Sequence, residues 1–164
     1  MKKYIILAED GERKLIDEIG EKLGCAEALR EYEILVTGVG AINIIRSLQS
    51  VPRDAELLNI GYAGSANFDL GSLYAVSEAR LNHPNVTYPE PTLPLSIAPV
   101  ASRLPQAVCY SNTDFVLQSD YKDCVFDMEL AYIASLGFTH LSSIKRVSDN
   151  LSLHTYHTVA NGVE

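Results

Sequence analysis

The sequence predicts an α/β domain built around a mostly parallel β-sheet. Short apolar runs of strand length alternate with segments whose apolar residues recur at helical spacing. Glycine follows several of these runs, where the chain must turn. The order strand, helix, strand, glycine turn, helix, strand is typical of an α/β domain. Because the chain has 164 residues, we expect residues 1–164 to form a single domain with a substantial core.

The first half of the chain is predicted to contain four strands and two helices. Apolar residues recur at helical spacing over residues 13–23, and Gly24 is a suitable stop for this helix. A second helix is expected over residues 41–49, after a glycine turn at 38–40. The strands are expected at 4–8, 33–37, 57–60 (ending at Gly61) and 73–79.

The second half is predicted to be less regular. Six of the seven prolines lie between Pro84 and Pro105, and proline is disfavoured inside helices and central strands. We therefore expect an ordered but irregular loop there, of the kind that often binds ligands or covers a site. Beyond it, the sequence predicts strands at 107–110 and 144–147 and a helix at 128–136 before Gly137.

The charge and composition exclude several classes of protein. The chain has 13 basic and 21 acidic residues and a net charge of −8. Nucleic-acid-binding proteins need clustered basic residues, so no nucleic-acid partner is expected. The apolar run at residues 4–8 is too short for an export signal, and no run approaches the ~18–20 apolar residues of a membrane helix. No membrane partner is expected.

The cysteines and two histidines are interpreted conservatively. Cys25, Cys109 and Cys124 are odd in number and widely spaced, which favours reduced thiols in a cytoplasmic protein over disulfides. A nucleophilic cysteine stays an alternative. His154 and His157 are three residues apart, but no third ligand is found nearby, so we expect surface histidines and no metal site.

Polar residues follow several of the predicted strands. In open α/β sheets, ligands bind at the carboxyl ends of the strands, where loops present functional groups. Taken singly, these residues are most simply interpreted as turns and helix caps. The clusters lie at 9–12, 61–65, 111–114 and 148–149, and a further pair at 128–129 opens a predicted helix.

Taken together, five segments of the chain form an ordered set of motifs. They are TGVGAIN at 37–43, NIGYAGS at 59–65, LGS with SEAR at 70–80, FDME at 126–129 and KRVSD at 145–149. In order and spelling the set resembles the nucleoside phosphorylase and nucleosidase superfamily. The resemblance is greatest to the methylthioadenosine/S-adenosylhomocysteine nucleosidases, in a shortened form.

The resemblance implies a fold and a reaction. The fold would have three layers, with a central, twisted, mixed and mostly parallel sheet. The reaction would be hydrolysis of the N-glycosidic bond of a purine nucleoside such as methylthioadenosine or S-adenosylhomocysteine, with release of the free base. Its oxocarbenium-like transition state needs an acid for the leaving base, an anchor for the sugar and a base for water. The resemblance implies no metal or organic cofactor, and it implies a homodimer or larger homo-oligomer.

The resemblance also assigns roles to individual residues. Asp149 would be the general acid that donates toward purine N7, which requires a protonated carboxyl and therefore a raised pKa. Glu129 would accept hydrogen bonds from the ribose 2′- and 3′-hydroxyls. The other substrate-binding residues would be Met128 against the sugar, Phe115 stacked on the base, the Val116 backbone beside the base, and Tyr62 and Ser148.

The carboxylate that activates water is the least direct assignment. Glu12 lies four residues after Ala8, as the corresponding glutamate does in the nucleosidases, and is the predicted base. Glu9 and Asp10 are close enough in sequence to remain alternatives. An acidic residue at this place also suits a helix start.

Phosphorolysis and loss of catalysis are the alternative interpretations. A phosphorylase needs backbone donors and an arginine for phosphate, whereas residues 8–12 read AEDGE and would repel it; Arg13 and Arg46 remain candidate ligands. Hydrolysis is therefore favoured. Tyr62 replaces a family serine or threonine, and Lys145 replaces an arginine that is a different kind of donor. These departures also fit a non-catalytic nucleoside-binding relative.

Overall fold

The structure, a computed structural model, describes residues 1–152. Its helices are α1 (Arg13–Leu23), α2 (Ala26–Leu29), α3 (Ala41–Leu48) and α4 (Leu130–Ala134), with 3₁₀ turns at Asp10–Glu12 and Pro99–Ala101. The strands are β1 (Lys3–Leu7), β2 (Glu33–Val36), β3 (Glu56–Gly64), β4 (Leu73–Leu81), β5 (Thr92–Pro94), β6 (Gln106–Ser111), β7 (Cys124–Asp127) and β8 (His140–Asp149).

These strands form one sheet in the order β2-β1-β3-β7-β6-β4-β5. β8 pairs with both β3 and β4, so that β3, β7, β6, β4 and β8 make a closed circuit of paired strands. The pairs β1–β2, β1–β3, β3–β8, β4–β6 and β6–β7 are parallel, and β3–β7, β4–β5 and β4–β8 are antiparallel. The prediction of a mixed, mostly parallel sheet is confirmed.

Helices cover both faces of the sheet. On one face, Ile44 of α3 and Leu130 of α4 belong to a buried apolar cluster. On the other face, Leu15 and Ile19 of α1 belong to a second cluster. Gly24 ends α1 in the left-handed conformation (φ 65), which a residue without Cβ adopts readily. The helix bounds 13–23 that the sequence predicts are confirmed, and the fold has three layers.

Two central strands are longer than the sequence predicts. β3 continues through Gly64 instead of ending at Gly61, and β8 spans His140–Asp149 instead of 144–147. The two strands pair in parallel along their whole length. Polar residues that interrupt the apolar pattern are accommodated inside this pair, because the Ser143 hydroxyl donates to Asn59 Oδ1 at 2.8 Å. The clusters at 61–65 and 148–149 consequently lie largely within the ends of strands.

The other differences concern short elements. The sequence pattern does not predict α2, β5 or β7, each of four residues or fewer, and α4 is shorter than the predicted helix at 128–136. The proline-rich segment is mainly irregular, as predicted, but contains β5 and the 3₁₀ turn at Pro99–Ala101. Within residues 1–152, no helix has the length and apolarity to cross a membrane. His154 and His157 lie outside the described residues.

Candidate functional site

A cavity of about 190 Å³ lies where β1, β3, β7 and β8 end. Each of these strands, or the turn that follows it, contributes carboxylate, hydroxyl or backbone groups to the wall. All eight residues predicted from the sequence for catalysis or substrate binding line this cavity: Glu12, Tyr62, Phe115, Val116, Met128, Glu129, Ser148 and Asp149.

Glu12 is fixed between β1 and β3. Its Oε1 accepts hydrogen bonds from the backbone N–H groups of Ala8 at 2.8 Å and Glu9 at 3.1 Å, and its Oε2 accepts one from the Tyr62 N–H at 3.0 Å. The residue is 6% exposed. Burial raises the pKa of Glu12, while the charge of Lys145 and the backbone bonds oppose that rise. Glu12 is therefore an immobilised carboxylate at the cavity wall, suited to accepting a proton.

The two alternative bases occupy different environments. Glu9 lines the cavity but is exposed. Asp10 is exposed, does not line the cavity, and pairs with Arg13 at 2.5 Å. Of these three acidic residues, Glu12 alone is buried against the cavity.

Asp149 ends β8 at an irregularity in the sheet. The register of β3 and β8 shifts there so that Gly64 lies opposite Asp149. A Cβ on Gly64 would lie 2.6 Å from Asp149 Oδ1, so the close approach requires glycine. The Ser148 hydroxyl donates to Oδ2 at 2.8 Å and the Leu151 N–H to Oδ1 at 2.9 Å. Burial raises the pKa of Asp149, whereas these hydrogen bonds oppose the rise. A raised pKa is what a carboxyl proton donor needs.

Glu129 precedes α4 and reaches across to the glycine turn before α3. The Gly40 N–H donates to Glu129 Oε2 at 2.9 Å, over a sequence separation of 89 residues. Burial, and then the charge of Asp127, raise the pKa of Glu129 to about 7, although Lys145 opposes them. Met128 lines the same wall. This arrangement places an acceptor for hydroxyl groups beside an apolar side chain.

Asp127 and Lys145 form a buried ion pair beside this wall. Lys145 Nζ lies 3.0 Å from Asp127 Oδ2, and both side chains are 1% exposed. The Leu130 N–H and the Ser111 hydroxyl also donate to the Asp127 carboxylate. Burial alone would raise the pKa of Asp127, but Lys145 and these hydrogen bonds lower it below its ordinary value. Burial would likewise lower the pKa of Lys145, but neighbouring carboxylates, Asp127 foremost, raise it.

The sequence pattern did not single out Asp127 as a site residue. A signal was available, because Lys145 lies in a predicted buried strand and a buried ammonium requires an acidic partner. Val39 and Leu151, which also line the cavity, carry no chemical signature in the sequence. The Leu151 backbone has a positive φ of 67, which is unusual for a bulky residue.

An aromatic wall closes another side of the cavity. Phe115 and Val116 come from the loop between β6 and β7, and Phe126 comes from β7. Phe126 stacks on Tyr110 of β6, with ring centroids 5.7 Å apart. An aromatic surface of this kind offers a flat ligand a stacking partner.

Tyr62 contributes its backbone to the site. Its N–H donates to Glu12, while its ring belongs to the apolar cluster on the α1 face. Burial raises the pKa of Tyr62, and nearby Arg146 opposes the rise. Arg146 in turn lies 3.3 Å from Glu18 of α1. The tyrosine side chain therefore anchors this strand end to α1.

The wall of the cavity is acidic. Glu9, Asp114 and Asp127 join the three carboxylates Glu12, Glu129 and Asp149, and none of the described lining residues is basic. Arg13 is paired with Asp10, and Arg46 lies on α3 outside the described lining. No group of three or more His, Cys, Asp or Glu within residues 1–152 is arranged to hold a metal ion. The site can exchange protons and accept hydrogen bonds from hydroxyl groups.

Solved structures with the same fold are nucleosidases. The MTAN of Chlamydia trachomatis bound to adenine aligns with a TM-score of 0.70 and 20% identity, covering 99% of this chain and 91% of that one. The 5′-methylthioadenosine/S-adenosylhomocysteine nucleosidase of S. pneumoniae with a transition-state inhibitor aligns with a TM-score of 0.73 and 14% identity, covering 99% of this chain and 94% of that one. The nucleosidase of the same name from Colwellia psychrerythraea, in complex with adenine, aligns with a TM-score of 0.71 and 17% identity, covering 96% of this chain and 87% of that one.

Comparison of the sequence alone identifies no relative. No protein-family model matches the chain, and no curated protein matches it. The likeness therefore rests on the three-dimensional arrangement, which extends over nearly the whole chain at identities of 14–20%. The chain has the fold of the 5′-methylthioadenosine/S-adenosylhomocysteine nucleosidases, as its sequence motifs predict.

Proposed function

We propose that the protein hydrolyses the N-glycosidic bond of a purine nucleoside, with methylthioadenosine or S-adenosylhomocysteine as the leading substrate. The observation that carries the proposal is the convergence of three buried carboxylates, Glu12, Glu129 and Asp149, on one cavity with an aromatic wall. Solved structures of the same fold bear the name of this activity and hold adenine. An acid, a sugar anchor and a base are the groups that the reaction requires.

Asp149 is the proposed general acid. Departure of the base leaves negative charge on the purine, and a proton delivered to N7 neutralises it. Burial raises the pKa of Asp149 and so favours the protonated form that can donate. Ser148 and the Leu151 N–H hold the carboxyl in one orientation.

Glu129 and Met128 are proposed to hold the ribose. A carboxyl group can accept hydrogen bonds from neighbouring hydroxyls and, when protonated, can also donate one, and Glu129 is already oriented by the Gly40 N–H. Phe115 would stack on the purine, and the Val116 backbone would lie at its edge. In this proposed pose the glycosidic bond would lie between the acid and the base.

Glu12 is the proposed base for water. Its three backbone hydrogen bonds fix the carboxylate, and its burial makes it the favoured candidate over Glu9 and Asp10. Water attacks C1′ as the C1′–N9 bond breaks and Glu12 accepts its proton, which gives the free base and a sugar with a hydroxyl at C1′ and its 5′ substituent retained, methylthioribose in the case of methylthioadenosine.

The acidic wall favours hydrolysis over phosphorolysis. A phosphate dianion would enter a cavity whose described lining residues include six acidic and no basic side chains. Repulsion in a buried site is strong, because the effective dielectric constant is low. Water carries no charge and meets no such barrier.

Incubation with methylthioadenosine, S-adenosylhomocysteine or adenosine, with and without phosphate, tests the proposal. We expect adenine release that does not depend on phosphate, measured by liquid chromatography. Release that requires phosphate would instead establish a phosphorylase. Saturable nucleoside binding without release would establish a non-catalytic binding protein.

We also propose that the protein forms a homodimer through an apolar surface on α3 and the glycine turn before it. Val39, Ile42 and Ile45 are 39%, 67% and 45% exposed, and Val39 also lines the cavity. Ile42 and Ile45 are three residues apart and share one face of the helix. Analytical ultracentrifugation should give a dimer that the Ile42→Glu/Ile45→Glu variant dissociates, while Leu70→Glu, another exposed position, does not. A monomeric native protein would contradict the proposal.

The cytoplasm is the proposed location. Cys25, Cys109 and Cys124 are free thiols in the structure, which suits a reducing compartment. Fractionation of the cells that produce the protein tests this point, and recovery outside the cytoplasm would contradict it.

A further inference from the structure

Three of the buried carboxylates near the cavity share one buried cation. Glu12, Asp127 and Glu129 are 6%, 7% and 8% exposed, and Lys145 is 1% exposed. Buried charges of one sign repel each other strongly and must be compensated or protonated. One ammonium beside three carboxylates leaves the cluster with an excess of negative charge.

The cation is bound to one carboxylate in particular. Lys145 Nζ lies 3.0 Å from Asp127 Oδ2, and Asp127 is held further by Ser111 and the Leu130 N–H. Asp127 therefore accepts from three donors, which fix its position. Its charge and that of Lys145 act on the neighbouring groups as a fixed dipole.

Glycine at position 61 brings this dipole close to Glu12. A Cβ on Gly61 would lie 2.8 Å from Glu12 Oε2 and 3.2 Å from Lys145 Nζ. The carboxylate and the ammonium thus border the same small space, which a side chain would fill. The positive end of the dipole faces Glu12 there.

We propose that the Asp127–Lys145 ion pair is a positioning unit that charges the two glutamates unequally, holding Glu12 ionised as the base and leaving the excess proton of the cluster on Glu129. The inference rests on the proposed hydrolysis for its meaning in catalysis. It assigns to Asp127 and Lys145 no contact with the substrate.

The unequal effect follows from the neighbours of each glutamate. The charge of Lys145 acts on both glutamates, whereas the charges of Asp127 and, more weakly, Glu12 act on Glu129. Burial, and then the charge of Asp127, raise the pKa of Glu129 to about 7, so this residue carries a proton for part of the time near neutral pH. Other titratable groups that act on members of the cluster are Cys109 on β6, Tyr132 on α4 and Tyr62 on β3.

Titration of the glutamate side chains by NMR tests the proposal without requiring turnover. The carboxyl carbons are labelled with ¹³C, and Glu12→Gln and Glu129→Gln assign the two signals. Removing an opposite charge at this range shifts a pKa by about 1–3 units. Lys145→Met should therefore raise both midpoints by about one unit or more, and Lys145→Arg should restore them. Asp127→Asn should lower the midpoint of Glu129.

The double variant Asp127→Asn/Lys145→Met is the matched control for folding. It removes both buried charges together, so it leaves neither one unpaired even if Lys145→Met alone does not fold. Its expected signature is a raised midpoint for Glu12 with a smaller change for Glu129. Equal shifts of both glutamates in the double variant, or no shift, would overturn the proposal.

The pH profile of nucleoside hydrolysis supplies the catalytic readout. The acid limb of kcat/KM should move up in Lys145→Met and return in Lys145→Arg. The alkaline limb should stay in place, because the groups that act on the pKa of Asp149 are Ser148 and the backbone of Leu151 and Ser152. An unmoved acid limb would overturn the proposal, whereas absent turnover with shifted NMR midpoints would overturn only the proposed function.

Discussion

Replacing Gly61 with alanine tests the geometry of the proposed base. The new Cβ would lie 2.8 Å from Glu12 Oε2, whereas ordinary van der Waals contacts are 3.4–4 Å. Oε2 must therefore move by about 0.6 Å, and we expect this movement to cost it the hydrogen bond from the neighbouring Tyr62 N–H. That hydrogen bond is now 3.0 Å long, and lengthening it to about 3.6 Å would break it.

The expected cost follows from the loss of this bond. A hydrogen bond to a charged acceptor contributes about 1.5–3 kcal/mol, so we expect the free energy of unfolding to fall by about 2 kcal/mol. For a chain of this size that corresponds to a decrease in Tm of about 4–8 °C. Displacing a general base costs about 10²–10⁴-fold in rate, so kcat for adenine release should fall within that range.

Steady-state hydrolysis and thermal unfolding of Gly61→Ala are the measurements. Gly11→Ala is the matched control, because it precedes Glu12 directly but a Cβ there meets nothing within 4 Å. We expect the control to keep native kcat and Tm. If Gly61→Ala also kept both, Glu12 would not be confined as the structure has it, and the reasoning on its role as a base would be refuted.

Three further predictions concern the acid, the pH dependence and the base-stacking wall. Asp149→Asn should lower kcat by about 10²–10⁴-fold with Tm and adenine binding retained; native turnover would remove Asp149 as the acid. Because folding raises the pKa of Glu129 from 4.5 to about 7, its ionisation costs stability: the free energy of unfolding should fall by up to about 3 kcal/mol as pH rises from 4.5 through 7. Urea unfolding at several pH values should show that Glu129→Gln lessens the decrease of the unfolding free energy with pH and that the exposed control Glu33→Gln does not. An equal decrease in Glu129→Gln and the native protein would contradict the prediction. Phe115→Ala should raise KM about tenfold through lost stacking, whereas Leu117→Ala in the same loop, which does not line the cavity, should leave it unchanged.

The environment of each carboxylate explains how similar side chains could take different roles. Asp149 is buried beside hydrogen-bond donors without a compensating cation among the groups that act on its pKa. Glu12 is opposed by Lys145 and bound by three backbone N–H groups. Burial raises the pKa of both carboxyl groups, but for Glu12 a cation and three N–H groups oppose the rise, whereas for Asp149 hydrogen bonds alone oppose it.

Local patterns in the sequence were enough for several elements. The spacing of apolar residues over 13–23 and the following Gly24 gave α1 its correct bounds, because helix periodicity and a left-handed cap are properties of neighbouring residues. The same holds for the alternation of strands and helices that predicts the fold class. The motifs led to Asp149 and Glu129 because each lies within a short, recognisable segment, whereas Glu12 was assigned only by its distance from Ala8.

By itself, then, the sequence predicted the fold class and eight of the residues that line the candidate site. Only the tertiary structure decided how those residues are charged and held. Asp127 meets Lys145 because β7 and β8 are brought together through the sheet, and Glu129 meets the Gly40 N–H across 89 residues. Helix and strand periodicity reports on neighbours along the chain, whereas a pKa depends on burial and on charges within a few ångströms, whatever their separation in sequence.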